Sequence, residues 1–438
     1  MYVYQSSILR LIQKNNVSLY ISYNLNFTMN LYLITFNSGV YKEEQVYENH
    51  KKLLSELEKY FNIHLIYYKE ADSIPANEYK MAFIASGGVE GSVIRNFSIL
   101  PYPITLLADG VSNSLAASLE IAAWVRSKDM KVNIIHGDVK SMAEKVIIHH
   151  QAFAAKRSLK GKRIGVIGTP SSWLVASHVD YLLAGQRWGV TYQDISLKEV
   201  VKRFASITDD EVGVEASLVA THCQSCQDTT PESLLRAMRL YKAIHNICTE
   251  YNLDAVTFSC FSLATELNTS GCLALSLLNE EGIPAGNEGD LQSIMTLLMT
   301  RELFKKAGFI ANPTFINEKS NEISLAHCTI SPSMTEGFRL RPNKEGIGIS
   351  IQGIIPKGDI TLFKCGGECL DEYFVSSGQL IENIDDENAH RTQIKVKLDK
   401  SVKYFLRNPL GNHHILIRGN HTEAIREFME QNRCKSRE

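Results

Sequence analysis

The chain has 438 residues, which at about 150 residues per domain predicts about three domains and excludes a single small binding module. Hydrophobic residues make up 44% and charged residues 21% of the chain, a balance typical of a soluble globular protein. The 46 basic and 48 acidic residues give a net charge of −2, so the charge favours neither a nucleic-acid partner nor an anionic membrane. Nine cysteines, an odd number, are too few for a disulfide scaffold and predict a cytoplasmic protein, and no uncharged apolar run reaches the roughly 18 residues of a membrane-spanning helix.

Residues 1–28 are rich in Asn, Ser and Tyr and lack the apolar core and cleavage site of a secretory signal. They predict either a poorly ordered N-terminal extension or a start of the protein at Met29. From Leu31 the stretches LYLITF, IHLIYY and MAFIAS alternate with helix-like segments, which is typical of a parallel sheet covered by helices. We expect a first α/β domain over residues 29–160, with a helix from about Val139 to Ser158 and a domain connection near residues 156–162.

A second α/β domain is predicted over residues 161–320, beginning with the strand Arg163–Ile167. Its pattern again alternates strand and helix. After about residue 320 the segments GIGISIQGIIPKGDITLFKC, EYFVSSGQLIEN and RTQIKVKLD are rich in β-formers and separated by Gly and charged turns. Residues 321–438 therefore predict an antiparallel sheet or barrel that ends in the helix HTEAIREFMEQ.

Two carboxylates stand in the turn of IPAGNEGDLQSIMTLLMTREL, between a strand end and an apolar helix. Ligands of open α/β sheets bind at the carboxyl ends of strands, which makes Glu288 and Asp290 candidates for chemistry. The structural alternative is that Asp290 caps the helix and Glu288 is a solvated turn residue.

Histidines follow or begin strand-like segments in SLAHCTISP and NPLGNHHILIRGNH. Neighbouring residues of a strand point to opposite faces, so at most one of His413 and His414 is expected to join a given site. A packed histidine is the alternative for each, including His327. Together with the acidic turn, these imidazoles suit a divalent ion such as Mn²⁺, Mg²⁺ or Co²⁺ acting as a Lewis acid.

Two other motifs offer rival interpretations. The pairs Cys223/Cys226 and Cys365/Cys369 supply four thiolates for a structural zinc ion, but they lie in different predicted domains. The segment GKRIGVIGTP is similar to the start of a dinucleotide-binding fold but lacks the GxGxxG spacing, and tight packing explains its glycines.

In order along the chain, AGNEGDLQSIMTLL, NEISLAHCTIS, ENIDDENAHRTQIKV and PLGNHHILIRG resemble the fucose isomerase and arabinose isomerase superfamily, and within it the shorter fucose isomerase-like proteins. The resemblance covers roughly residues 29–432. It implies two Rossmann-like α/β domains followed by a C-terminal antiparallel β-barrel domain. It also implies a homotrimeric or homohexameric aldose–ketose isomerase that uses Mn²⁺, with Co²⁺ or Mg²⁺ as alternatives.

Carried over by residue, the resemblance assigns Glu288, His327 and His413 to the metal and Asp290 to the metal or to proton transfer. One family feature is missing, because residues 309–312 read Phe-Ile-Ala-Asn where arabinose isomerases carry a second catalytic Glu. The nearest replacement is Glu266, whose alternative is a solvated helix residue. Contacts to substrate hydroxyls are expected from polar side chains of the third domain: His414, Asn312, Arg391 and Gln393.

An aldose–ketose isomerase acting through an enediol is therefore predicted. It needs a divalent ion to hold the sugar oxygens and a carboxylate to move a proton between C2 and C1. The alternative is a non-catalytic sugar- or metal-binding relative on the same scaffold. The expected partner is a monosaccharide, with no nucleic acid or membrane.

Overall fold

The computed structural model describes residues 29–39, 45–226, 229–259, 264, 266–343 and 346–437, so the predicted N-terminal extension at residues 1–28 lies outside the described residues. The chain divides into two compact units. One holds the described residues up to Ala154 together with Glu430–Arg433, and the other holds Ala155–Met429 and the residues from Cys434 onward. The three domain boundaries expected from the sequence remain predictions. Within the described residues, no helix combines the length and apolarity needed to cross a membrane.

The first unit contains a parallel sheet of five strands in the order β2-β1-β3-β4-β5. Apolar side chains cover both faces of this sheet, as expected for parallel strands between two helical layers. The strands are β1 (Met29–Phe36), β2 (Phe61–Tyr67), β3 (Lys80–Ile84), β4 (Ile104–Leu107) and β5 (Val132–Ile135). The helices are α1 (Val46–Asn49), α2 (Lys51–Leu57), α3 (Glu90–Arg95), α4 (Ser114–Arg126) and α5 (Val139–Leu159), whose residues from Ala155 onward are counted with the second unit; 3₁₀ turns lie at Tyr68–Ser73, Phe97–Ile99 and Val111–Asn113. Because α5 extends through Leu159, the first part of the connection predicted at residues 156–162 is helical.

The second unit begins with a parallel sheet of four strands in the order β7-β6-β8-β9. The strands are β6 (Arg163–Ile167), β7 (Thr191–Ile195), β8 (Ala255–Phe258) and β9 (Ala285–Asn287). The helices are α6 (Tyr181–Trp188), α7 (Leu197–Ser206), α8 (Asp209–His222), α9 (Pro231–Glu250), α10 (Cys272–Glu281) and α11 (Leu291–Phe304). Helix α9 starts with proline at its first turn behind the capping residue Thr230, which is the position where a missing N–H costs least.

A closed antiparallel barrel follows, with six strands in the circular order β14-β17-β10-β11-β16-β15 and a pairing of β15 with β14 that completes the ring. These strands are β10 (Phe309–Asn317), β11 (Glu322–His327), β14 (Gly358–Gly366), β15 (Glu372–Ile384), β16 (Thr392–Leu398) and β17 (His414–Arg418). The remaining elements are the hairpin β12 (Gly337–Pro342) and β13 (Ile349–Ile354), the 3₁₀ turn Pro332–Met334, the helices α12 (Tyr404–Arg407) and α13 (Thr422–Gln431), and β18 (Lys435–Ser436), which adds to β15. The predicted fold class, parallel α/β sheets followed by an antiparallel barrel, is confirmed.

Helix α11 links the second sheet to the barrel. It packs on β8 and β9 on one side and on β14 and β17 on the other, and its first ten residues are all buried. A surface helix is apolar along one stripe, whereas this helix has no solvent-facing side over that length. The turn between β9 and α11 is therefore held from both sides.

Strand register brings several predicted residues to one rim of the barrel. His414 of β17 pairs with Ala311 of β10, and Asn312 pairs with Ala326 of β11. His327, the last residue of β11, pairs with Thr392 at the start of β16. Residues 327, 392 and 413 thus lie at strand ends, and Asn312 lies beside them on β10 through this register.

Candidate metal centre

The acidic turn is tightly constrained. Glu288 and Gly289 both have left-handed backbone conformations, with φ of 63° and 71°. The backbone N–H of Ser171, in the loop after β6, donates to the carbonyl of Glu288 at 2.9 Å. A Cβ at Gly289 would lie 2.7 Å from the Cα of Pro170, so glycine is required by both its φ and the close backbone. The loop after β6 therefore fixes the direction of the Glu288 side chain.

Glu288, His327 and His413 form a buried group. One ligand atom of each residue lies within 4.8 Å of the others. The Nε2 atoms of both histidines are buried and have no hydrogen-bond partner among the described residues. Buried polar atoms are normally paired, and two imidazole nitrogens beside a carboxylate are donors that divalent transition ions accept. This group can therefore bind a metal ion, and its members are the three ligands predicted from the sequence.

Asp290 serves both the helix and the histidine. Its Oδ1 accepts the backbone N–H of Ser293 at 2.8 Å, which caps α11 as the structural alternative predicted. Its Oδ2 lies 2.8 Å from Nδ1 of His413. A carboxylate on Nδ1 fixes the ring orientation and leaves Nε2 for a ligand. By contrast, Glu288 is only 7% exposed and is not the solvated turn residue of that alternative.

A buried lysine, Lys364, lies beside the Asp290 carboxylate that contacts His413. Lys364, on β14, is fully buried and donates to Oγ of Ser293 at 3.0 Å, with its Nζ 3.8 Å from Oδ2 of Asp290. Burial alone would raise the pKa of Asp290, but the Lys364 ammonium and the bond to His413 outweigh it and hold the pKa below its usual range. Burial lowers the pKa of Lys364, and the Asp290 carboxylate opposes that shift. The pair allows a charged carboxylate to stand behind His413 without solvent.

His327 lies between two other rings. It stacks on His390 with ring centroids 5.0 Å apart, and its ring meets that of His413 edge-on at 5.4 Å. Burial, followed by the neighbouring His413 and His390, lowers the pKa of His327 well below its usual value. A neutral imidazole at this position keeps its lone pair, which is the form that ligates metal ions.

His413, just before β17, and His414, the first residue of β17, separate as the strand period predicts. While His413 joins the buried group, His414 contacts the hydroxyl of Tyr404 at 3.1 Å through Nε2 and lies among Phe374 and Phe405. Burial, with a further contribution from Lys364, lowers the pKa of His414 to about 3. Its expected contact with substrate remains a prediction, and in this structure it packs in an aromatic cluster.

The other expected contact residues have varied surroundings. Asn312 has a buried Oδ1 without a hydrogen-bond partner in the described part of the chain, as a ligand-binding amide would. Arg391 donates to the carbonyl of Pro342 at 2.9 Å, and Gln393 exchanges two hydrogen bonds with the backbone of Asp386. These bonds give Arg391 and Gln393 structural partners, and their substrate roles remain predictions.

Glu266, the expected second acid or base, has an exposed side chain and does not belong to the buried group. Its catalytic role also remains a prediction. Among the described residues, the four cysteines of the zinc alternative do not form a metal-binding group.

Sequence reasoning missed three residues at this site. The indole N–H of Trp173, in the loop after β6, donates to Oε2 of Glu288 at 2.7 Å. Lys364 supports Asp290, and His390 stacks on His327. Only His390 had a signal in the sequence, because it stands in the motif ENAHRTQIKV beside two residues that were predicted.

Comparison with known proteins gives a partial match to a sugar isomerase. No family model matches the chain. A stretch of 188 residues is 25% identical to the sulfoquinovose isomerase of Clostridium sp. (strain MSTE9) and spans 41% of this chain and 42% of that protein. The match thus covers less than half of the relative, and it supports a relation to sugar isomerases and nothing finer. Among solved structures, D-threo-3-hydroxyaspartate dehydratase from Delftia sp. HT23 aligns over 98% of this chain and 89% of its own, at 11% identity and a TM-score of 0.15, a value too low to carry an argument.

Proposed function

We propose that this chain is a metal-dependent aldose–ketose isomerase that acts on a monosaccharide of the fucose or arabinose class through an enediol. The observation that carries the proposal is the buried Glu288, His327 and His413 group, in which both imidazole Nε2 atoms lack a hydrogen-bond partner among the described residues. The 25% identity to an isomerase over 188 residues supports the same reaction class.

The metal-holding residues are Glu288, His327 and His413, with Mn²⁺ as the proposed ion and Co²⁺ or Mg²⁺ as alternatives. When bound, a divalent ion supplies Lewis acidity and a template for two neighbouring sugar oxygens. Burial of all three side chains excludes water from their donor atoms. The Glu288 carboxylate is aimed by Trp173 and by the backbone of Ser171.

Asp290 is proposed as the positioning residue for His413. Both of its oxygens are already engaged, Oδ1 by the Ser293 backbone and Oδ2 by the Ser293 hydroxyl and His413. A general base must reach the carbon-bound proton that it removes, and a carboxylate held this way is poorly placed to do so. Transfer of the proton from C2 to C1 is therefore proposed for Glu266, the other carboxylate that the family resemblance offers, whose side chain is exposed.

The second candidate is a sugar- or metal-binding protein without turnover. Ala311, at the position where the arabinose isomerases carry a second glutamate, is buried and has no carboxylate. The two candidates share the metal group and differ in proton transfer, so Glu266 separates them. An oligomer of three or six chains in the cytoplasm belongs to the isomerase proposal, and light scattering measures the oligomer.

The deciding experiment combines metal analysis with turnover. The untagged protein is loaded with Mn²⁺, desalted and measured by elemental analysis beside Glu288→Gln, His413→Ala and the control His245→Ala, a histidine that interacts with Glu281 instead. Ketose formation from fucose, arabinose and sulfoquinovose is then followed for each protein and for Glu266→Gln.

About one Mn²⁺ per chain in the wild type and the control, lost in the two ligand variants, is expected. Turnover is expected to disappear with the metal and also in Glu266→Gln, which keeps the metal. Metal without turnover on any aldose would favour the binding protein. Absence of any metal ion from the loaded wild type would refute the metal-dependent isomerase and leave a sugar-binding protein on the same scaffold.

A further inference from the structure

Trp173 is placed unusually for a tryptophan. Its side chain is 54% exposed, yet its indole N–H makes a 2.7 Å hydrogen bond to Oε2 of Glu288, which is only 7% exposed. An exposed tryptophan leaves a large apolar surface in water, and tryptophan is enriched at interfaces where one end of the side chain is apolar and the other makes a polar contact. The residue therefore has one polar atom at the metal group and an apolar ring facing solvent.

The loop that carries Trp173 is held on both sides of it. The Ser171 N–H donates to the Glu288 carbonyl at 2.9 Å. The amide of Gln292, in the first turn of α11, donates to the carbonyls of Ala176 and His178 at 2.9 and 3.3 Å. Within the loop, the N–H of Leu174 donates to the carbonyl of Ser171 at 3.0 Å. These bonds to backbone atoms on both sides of Trp173 hold the loop, and the indole hydrogen bond to Glu288 sets the direction of the ring.

From this geometry we infer that Trp173 positions Glu288 through its indole N–H and forms, with its exposed ring, an apolar wall for the sugar at the metal group. The hydrogen bond occupies Oε2 and orients the carboxylate toward His327 and His413. Partners of this kind raise metal affinity because they hold the ligand in its binding orientation. The wall suits the C–H face of a monosaccharide, and this part rests on the proposed function.

Two substitutions separate the two roles. Trp173→Phe keeps an apolar ring and removes the N–H donor. Trp173→Gln keeps an N–H donor and removes the ring. Because the side chain is half exposed and the loop is held by backbone contacts, both variants are expected to fold. Trp124→Phe, in the other compact unit, is the matched control for the same change of residue type.

Metal affinity is measured first, by calorimetric titration with Mn²⁺. We expect Trp173→Phe to bind Mn²⁺ about 10- to 100-fold more weakly than the wild type and Trp124→Phe to match it. Tryptophan fluorescence gives an independent readout, because a nearby Co²⁺ ion quenches an indole. Quenching by Co²⁺ is expected in the wild type and in Trp124→Phe and is expected to be lost in Trp173→Phe. Equal Mn²⁺ affinity in both Phe variants, or quenching that persists without Trp173, overturns the positioning role.

Substrate binding is measured at saturating Mn²⁺. For Trp173→Gln we expect KM for the aldose to rise at least several-fold with kcat little changed, whereas Trp173→Phe keeps the wild-type KM. An unchanged KM in Trp173→Gln would refute the proposal that the Trp173 ring binds the sugar. If the wild type converts no aldose, the proposed function fails. Equilibrium dialysis of the labelled sugars then compares sugar binding by the wild type and by Trp173→Gln, and equal binding would refute the role of the ring. The calorimetric result stands in either case.

Discussion

Lys364 carries a fully buried charge beside the metal group, and its removal tests the electrostatic reasoning behind that group. Its side chain is fully buried, its Nζ lies 3.8 Å from Oδ2 of Asp290, and it donates to Ser293. Lys364→Met keeps most of the side-chain volume and removes the charge. The variant therefore leaves the Asp290 carboxylate buried without its counter-ion.

The expected loss follows from this distance. Two unit charges 3.8 Å apart attract by about 4 kcal/mol at an effective dielectric constant of about 20. Removing one partner of a buried pair typically costs about 3–5 kcal/mol because the other charge stays desolvated. We therefore expect Lys364→Met to lower the free energy of unfolding by about 3–5 kcal/mol. The double variant Lys364→Met/Asp290→Asn should recover part of this loss, since neither charge remains. The asparagine oxygen can still cap α11, while its amide nitrogen takes the place of Oδ2 and donates to Nδ1 of the neutral His413.

Urea unfolding of the metal-free proteins measures these free energies, with near-ultraviolet circular dichroism as the signal. Lys395→Met is the control, because Lys395 pairs with Glu382 at 3.0 Å on the surface, with side chains 34% and 55% exposed. Exposed pairs contribute about 0–1 kcal/mol, so the control should be nearly neutral. A loss below about 1 kcal/mol in Lys364→Met, or a double variant no more stable than the single one, would show that the pair is not charged as described.

Three further outcomes are expected. Gly289→Ala should lower the free energy of unfolding by roughly 1–3 kcal/mol and weaken Mn²⁺ binding, because the new Cβ would meet the backbone of Pro170. The control Gly161→Ala has a φ of 84° and open space around its Cβ, so it carries only the cost of the left-handed backbone conformation. Urea unfolding and calorimetry compare the two variants. Burial lowers the pKa of Lys156 to about 8, so between about pH 8 and the unfolded value of about 10.4 only the unfolded chain holds this proton, and the contribution of Lys156 to the free energy of unfolding rises with pH. The unfolding midpoint of the wild type should therefore rise relative to that of Lys156→Met across this window, since the other titrating groups are common to both proteins. Mn²⁺ at a hundred times its dissociation constant should add about 2.7 kcal/mol to the free energy of unfolding, and the gain should vanish in His413→Ala or on treatment with a chelator.

The architecture could be predicted because its signals are local. Parallel strands buried on both faces appear in the sequence as short apolar runs between helical segments, as LYLITF and MAFIAS do. The change to β-rich segments after about residue 320 indicated the barrel. Closure of the barrel depends on the pairing of β14 with β15, and the sequence pattern did not distinguish a closed barrel from an open sheet.

The candidate ligands could also be predicted, because each stands at the end or the start of a strand. The strand period further indicated that only one of His413 and His414 would join the group, although not which one. That choice depends on Asp290, which is 123 positions away in the chain and contacts Nδ1 of His413. Trp173 and Glu288 are 115 positions apart, and Lys364 and Ser293 are 71 apart. No local pattern in a single sequence marks such pairs, since only the packing of α11 and of the loop after β6 brings them together.

Helix capping and a role in the metal group were alternatives for Asp290 in the sequence, but the structure combines them. The cap fixes Oδ1 on the first turn of α11, a helix that is buried between the second sheet and the barrel. The other oxygen is thereby aimed at His413 with no freedom left in the side chain. A carboxylate on a mobile surface turn would lose this orientation, because its rotamers would exchange in solvent. The buried helix α11 therefore fixes the Glu288 turn and His413 relative to each other. The metal group depends on this contact between the second sheet and the barrel, which belong to the same unit.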